Sequence, residues 1–329
     1  MSGRPRTTFH RCPLAAVLVL GFAASVLAQR VPQSQWFYCA RFNRDATQLL
    51  SGGASRKIQL WDLKTGNEIR SFDHPGWLHT VAISPDGKRA LSGTRNRTMR
   101  LWDLTEGKML RELNHGGWVT TVLFLPDGKR GISIGGYDKT KGEASARLWD
   151  LETGRELRKF VPEGGDGGLT AGALSADGRR LAAAGPDTVV YDVETGEVVR
   201  RWTGHRPFTW VIALSPDGET CVTGGTDQNV RVTRVKDGRA IRTIPQGTKG
   251  IRSLAVSPDG KTFAVGVLRG TITFYSLSTG RRRGRISAHR FIVSSLEFSP
   301  DGKYLVSGSF DGTAKLWSVK SGKVVRTLR

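Results

Sequence analysis

Residues 299–317 read SPDGKYLVSGSFDGTAKLW, and the same text returns up the chain at an almost fixed interval. Within this copy, Pro300-Asp301-Gly302 has turn chemistry, because Pro presets φ and Gly accepts positive φ. Residues 304–307 form a short β-run, Phe310-Asp311-Gly312 forms a second turn, and residues 313–317 alternate as a strand does. At the position of Trp317, earlier copies carry Tyr275, Thr233, Tyr191, Trp149, Trp102 and Trp61; the differences between these numbers are 42, 42, 42, 42, 47 and 41. The Asp-Gly turn recurs at Asp86, Asp127, Asp177, Asp217 and Asp259, with a degraded copy at Asn43-Arg44-Asp45. A turn and one more strand follow each marker, as in Ser321-Gly322 and then residues 323–328. The chain therefore consists of seven units of four short strands.

A 40–45-residue period ending in Trp-Asp is the sequence signature of a propeller blade. With Leu60-Trp61-Asp62, Leu101-Trp102-Asp103, Leu148-Trp149-Asp150 and Thr203-Gly204-His205, the chain resembles the WD40-repeat β-propellers over residues 34–329, as an exported protein of bacterial type. The resemblance implies an all-β, seven-bladed β-propeller of four-stranded antiparallel blades. The repeats fall at about 34–73, 74–114, 115–160, 161–202, 203–244, 245–286 and 287–329. A length of 329 residues with 41 Gly suits one such turn-rich domain.

Residues 1–28 stand outside the repeat, and residues 29–33 form a short tail. Arg4, Arg6 and Arg11 make a basic start, and residues 14–28 are an uncharged apolar run ending Val26-Leu27-Ala28. Small residues at the end fit cleavage after Ala28 by signal peptidase, and the run is short of the ~20 residues that span a bilayer. The expectation is an exported protein, periplasmic or extracellular, with no stable membrane span after cleavage. Cys39 and Cys221 lie in the first and fifth units, too far apart around a seven-bladed ring for a disulfide, so both read as small apolar strand residues.

In the family, a His before the first strand, a Ser or Thr on the second, an Asp in the next turn and a Trp on the third form a hydrogen-bonded tetrad. The resemblance implies a complete tetrad only in unit seven: His289, Ser307, Asp311 and Trp317. Unit two has His74, Ser92 and Trp102 with Asn96 in the turn. Unit three has His115, Ser133 and Trp149 around an inserted loop, 137–145. Unit five has His205, Thr223 and Asp227 but Thr233 in place of Trp. Units four (Gly165, Ala183, Tyr191) and six (Gly247, Val265, Arg269, Tyr275) lack the tetrad and are expected to rely on packing against neighbours. Unit seven supplies its own last strand, so blades one and seven are expected to meet without exchanging a strand.

The chain has no HExxH, GxSxG, P-loop or CxxC motif and no dense carboxylate cluster. Its Asp-Gly pairs repeat as turns and its tetrad-register histidines as structure; His79 alone is out of register. No cofactor, metal site or catalytic residue is expected. The net charge is +21, with Arg281-Arg282-Arg283 and Arg285 as the densest cluster. Arg70, Arg111, Arg158, Arg200, Arg242 and Arg326 recur on the outermost strands, where charge discourages edge-to-edge pairing. An exported protein points to proteins, peptides or an anionic envelope polymer as partners rather than nucleic acid.

One register of side chains stands out from the repeat, and its aromatic members either anchor a partner or stack on neighbouring blades as packing. Three residues after the tetrad His position stand Trp36, Trp77, Trp118, Gly168, Phe208, Gly250 and Ile292; two further along stand Tyr38, His79, Thr120, Thr170, Trp210, Arg252 and Ser294. Strand alternation points both sets away from the mostly apolar residue between them. The family resemblance puts these positions beside the channel on the top face, where partners are often contacted, and Trp and Tyr are typical interface anchors. The partner-binding residues expected are Trp36, Tyr38, Trp77, His79, Trp118, Phe208, Trp210 and Arg252. Gly168 and Gly250 should leave gaps, with an open side near Arg252. The function read from the sequence is a monomeric, exported, non-catalytic protein or peptide interaction scaffold. The alternative is an exported propeller enzyme, or a binder of a small ligand or anionic polymer, using the channel mouth.

Overall fold

The structure, a computed structural model, describes residues 31–136, 144–162, 168–247 and 250–329. The segment 1–28, most of the inserted loop and Gly165 therefore lie outside the described residues. The remainder forms seven four-stranded antiparallel sheets, each made of consecutive strands joined as a meander. In the first blade these are Phe37–Phe42, Gln48–Gly53, Lys57–Asp62 and Glu68–Asp73, running from the innermost strand to the outermost. The later blades span 78–114, 119–160, 171–203, 209–245, 251–287 and 293–328. Each innermost strand contacts the innermost strands of the blades before and after it, and the first contacts the last. The result is a closed seven-bladed β-propeller.

The core lies between blades. Leu50, Ile58 and Leu60 of blade one meet Leu78, Val81, Ala90 and Trp102 of blade two. Equivalent clusters fill the other six interfaces, the last joining Phe37, Leu49 and Trp61 to Val306, Leu316 and Leu328 across the seam. Burying alternate faces of two sheets in this way is the favourable apolar term that closes the ring. Blade seven uses four consecutive strands, so closure needs no strand exchange. Polar contacts finish it: Phe42 N donates to Glu297 Oε2 at 2.6 Å, and Ser294 Oγ donates to Phe37 O at 2.6 Å. Burial raises the Glu297 carboxyl above its ordinary range, with Arg41 opposing.

The Ser-Pro-Asp-Gly turns are wired alike. In the last blade Ser299 Oγ donates to Asp301 Oδ1 at 2.6 Å and accepts from Tyr304 N at 2.9 Å, while Gly302 takes φ +71°. The outer-strand arginines do more than discourage edge pairing. Arg158 of blade three donates to the carbonyls of Glu194 and Thr195 in the turn of blade four, both at 2.7 Å. Arg111 reaches Glu152 O of the next blade, and Arg242 reaches Thr279 O. These side chains also tie successive blades together.

Candidate functional site

The complete tetrad lies in blade seven. In blade seven the Asp311 carboxylate can only accept, so His289 Nδ1–H donates to Asp311 Oδ2 at 2.9 Å. His289 Nε2 then accepts from Ser307 Oγ at 2.7 Å, and Ser307 Oγ accepts from Trp317 Nε1 at 2.8 Å. Burial alone would raise the Asp311 carboxyl, but hydrogen bonds from His289 and Thr313 outweigh it and hold it well below the ordinary range. Blade five keeps His205 on Asp227 (2.6 Å) and Thr223 (3.0 Å). In blade two the Gly76 backbone, with O at 3.0 Å and N at 3.2 Å from His74 Nδ1, stands where blade seven has its Asp carboxylate. Blade six was expected to rely on packing alone, yet Gln246 Nε2 donates to the Tyr275 hydroxyl at 3.0 Å. Gln246 sits one residue before the register of Gly247, so the repeat gave no signal for it.

Above these turns, the innermost strands carry a β-bulge at the first pair. The pairing skips Tyr38, His79, Thr120, Trp210, Arg252 and Ser294. A bulge leaves one residue unpaired and re-aims its side chain. In these six blades the skipped residue is partly exposed, while Phe37, Leu78, Val119, Thr209, Ile251 and Val293 beside them are buried; the innermost strand of blade four pairs without a skip. Close approach of the preceding residue needs glycine opposite: a Cβ on Gly53 would lie 1.9 Å from Trp36 O, and one on Gly135 would lie 1.7 Å from Trp118 O.

The half-buried side chains of this register are linked from blade to blade. Phe310 of blade seven stacks on Trp36 of blade one, with ring centroids 4.5 Å apart and planes at 9°. Tyr38 meets Phe310 edge-on at 5.1 Å and stacks on His79 at 5.5 Å. Arg95 of blade two lies 4.7 Å over the Trp118 ring of blade three, and Arg252 lies 5.6 Å over Trp210. Phe310 and Arg95 occupy one position, just before the turn residue of the tetrad. Neither was anticipated, although their shared register was visible. At that position blade one has Ala54, and Trp77 of the next blade remains 37% exposed.

The two register gaps differ. At Gly250, φ is +57° and the Leu268 side chain fills the space where a Cβ would stand, at 2.5 Å. With Arg252 drawn over Trp210, the expected opening there is closed. Beside Gly168 the gap is real. Trp118 and Thr120, Leu169 and Thr170, Phe208 and Trp210 line a pocket of about 150 Å³, with His79 and Arg95 on its blade-two side. His79 Nε2 is buried with no hydrogen-bond partner among the described residues, and burial pushes the imidazole pKa down to about 4, with Arg95 adding to the effect. A wider groove of about 850 Å³ lies on the seam, lined by Gln35, Trp36, Arg290, Asp311, Lys315 and Arg329.

Residues 28–62, 66–103 and 280–318 match the family described as WD domain, G-beta repeat, and residues 212–292 match the anaphase-promoting complex subunit 4 WD40 domain. The first three segments end with the third strands of blades one, two and seven. The chain is a seven-bladed β-propeller that carries WD40 repeats in the matched segments. It is similar to eukaryotic translation initiation factor 3 subunit I of Phaeosphaeria nodorum, 28% identical over 87 residues, which is 26% of this chain and 26% of that protein. It is also similar to autophagy-related protein 16 of Arabidopsis thaliana, 30% identical over 115 residues, which is 33% of this chain and 22% of that protein. The WD40 propeller thus spans about a quarter of the length of the curated relatives it matches. WD40 propellers are in general non-catalytic scaffolds that bind proteins. Among the described residues of this one, no three His, Cys, Asp or Glu side chains gather as metal ligands, and no helix is long and apolar enough to cross a membrane.

Proposed function

We propose that this propeller is an exported interaction module that binds a protein or peptide on its top face, through Trp36, Tyr38, Trp77, His79, Trp118, Phe208, Trp210 and Arg252. The observation that carries the reading is the convergence of side chains from blades two to five on one pocket at the channel mouth. Interface hot spots favour Trp and Arg clustered in a depression, and this pocket has Trp118, Trp210 and Arg95. Export rests on the basic, then apolar, segment 1–28 ending at Ala28. The seam groove, with Arg290, Lys315 and Arg329, favours a second reading in which an anionic envelope polymer is the ligand.

A photo-crosslinking residue placed at position 77 or 210, compared with one in the opposite-face turn at position 303, tests the first reading in the native host. Adducts to a discrete protein from the top-face positions alone support it. Adducts only from position 303, or only to polysaccharide, contradict it. The mass of the same purified protein reports cleavage after Ala28.

A further inference from the structure

We infer, resting on that top-face reading, that the pocket beside blade four takes one apolar side chain about the size of a benzene ring from a peptide, and that Arg95 pairs with an acidic residue next to it. Three observations converge on this ligand.

The first is size. A drug-sized ligand or cofactor needs roughly 300–1,000 Å³, whereas this pocket offers about 150 Å³. An apolar cavity near 150 Å³ accepts benzene, so a Phe or Leu side chain fits and a whole small molecule does not. The second is the lining. Trp118, Phe208 and Trp210 wall the pocket, and Val119 and Leu169 contribute its apolar base. Trp210 is the residue skipped at the bulge of its strand, so its place in the pocket wall is set by the backbone.

The third is charge. Aromatic walls alone would also suit a methylated lysine, since a cation is attracted to ring faces. Here those faces are already taken: Arg95 covers Trp118 and Arg252 covers Trp210. A ligand cation would meet two guanidinium groups at close range. Among the described residues, neither arginine has a carboxylate partner within ion-pair distance, and Arg95 is exposed. A guanidinium stacked on a ring keeps its N–H edge free for a carboxylate.

The test pans a random peptide library against the purified protein. The dissociation constants of the enriched peptides are then measured for wild type, Arg95→Gln, Arg95→Glu and Trp118→Ala, with melting temperatures for each. Enrichment of an aromatic or Leu residue beside Asp or Glu is expected, with binding at least about tenfold weaker in Arg95→Gln. Panning Arg95→Glu should then select basic peptides. If the selected peptides lose binding in folded Trp118→Ala but are basic or uncharged, or bind Arg95→Gln as wild type, the ligand assignment is overturned and the top-face reading stands. If no peptide is selected, or none depends on Trp118, both fall.

Discussion

The guanidinium of Arg326, on the last strand of the chain, donates to the backbone carbonyl of Lys64 in the first blade. This contact repeats at the seam what Arg111, Arg158 and Arg242 do within the ring. The receiving turn carries Gly66 at φ +82°, and a Cβ there would lie 2.7 Å from Arg326 Cδ. The corresponding residue of blade six is Gly284, four positions after Gly280 as Arg326 is four after Gly322, so the interface between blades six and seven lacks this tie.

Arg326→Ala should lower stability by about 1 kcal/mol, the range of a charge-assisted hydrogen bond at a half-exposed site. Gly66→Ala should cost about 1–2 kcal/mol through its positive φ. Denaturant midpoints check both. Unchanged values would mean that apolar packing alone closes the ring.

Acid should destabilise the propeller well above the carboxylate range. Burial pushes His74 and His79 down to about 4 and His115 down to about 3, against about 6.5 in an unfolded chain. Between these values the unfolded chain binds protons that the folded chain does not. Stability therefore falls as pH drops below about 6.5, with a slope of up to roughly 1.4 kcal/mol per pH unit for each histidine. Urea midpoints should be flat above neutrality and fall steeply toward about pH 5. An unchanged midpoint over that range would contradict the burial of neutral imidazoles.

Trp317→Ala should cost about 3–5 kcal/mol and exceed Tyr275→Ala, because it opens a network of four side chains in which Ser307 and His289 lose their order. The margin is narrower than an isolated tyrosine would give, since Tyr275 also bonds Gln246 and stacks on Phe263 at 5.2 Å. Equal denaturant midpoints for the two variants would show that the tetrad adds little.

The blades were legible in the sequence because each needs the same turns: Ser-Pro-Asp-Gly recurs wherever Ser and Asp must share backbone donors, and Trp recurs wherever the indole must reach a serine. The candidate site was legible only as a register. What escaped the repeat are contacts made between unlike neighbours. Phe310 covers Trp36 and Arg95 covers Trp118, across blade boundaries that a single copy does not contain. Leu268 closes the gap at Gly250, and Gln246 serves Tyr275 from one residue out of phase.

Cys39 and Cys221 are free, 2% and 0% exposed. Burial pushes the Cys39 thiol up to about 12 and the Cys221 thiol higher still. The thiolate is the reactive form, so neither should react with iodoacetamide at neutral pH in the folded protein, and both should react in denaturant. Peptide mapping by mass spectrometry reads the two sites separately. Labelling of the native protein at either would mean that its interface opens.

The most direct test of the top-face account is the affinity of a crosslinked or selected partner for Trp77→Ala and Trp118→Ala, measured beside their melting temperatures. Trp77 is exposed and Trp118 walls the pocket, and neither belongs to the apolar clusters buried between blades. The account predicts a loss of at least about 2 kcal/mol of binding, near thirtyfold, at an unchanged melting temperature. Wild-type affinity in both variants, or unfolding of both, would contradict it.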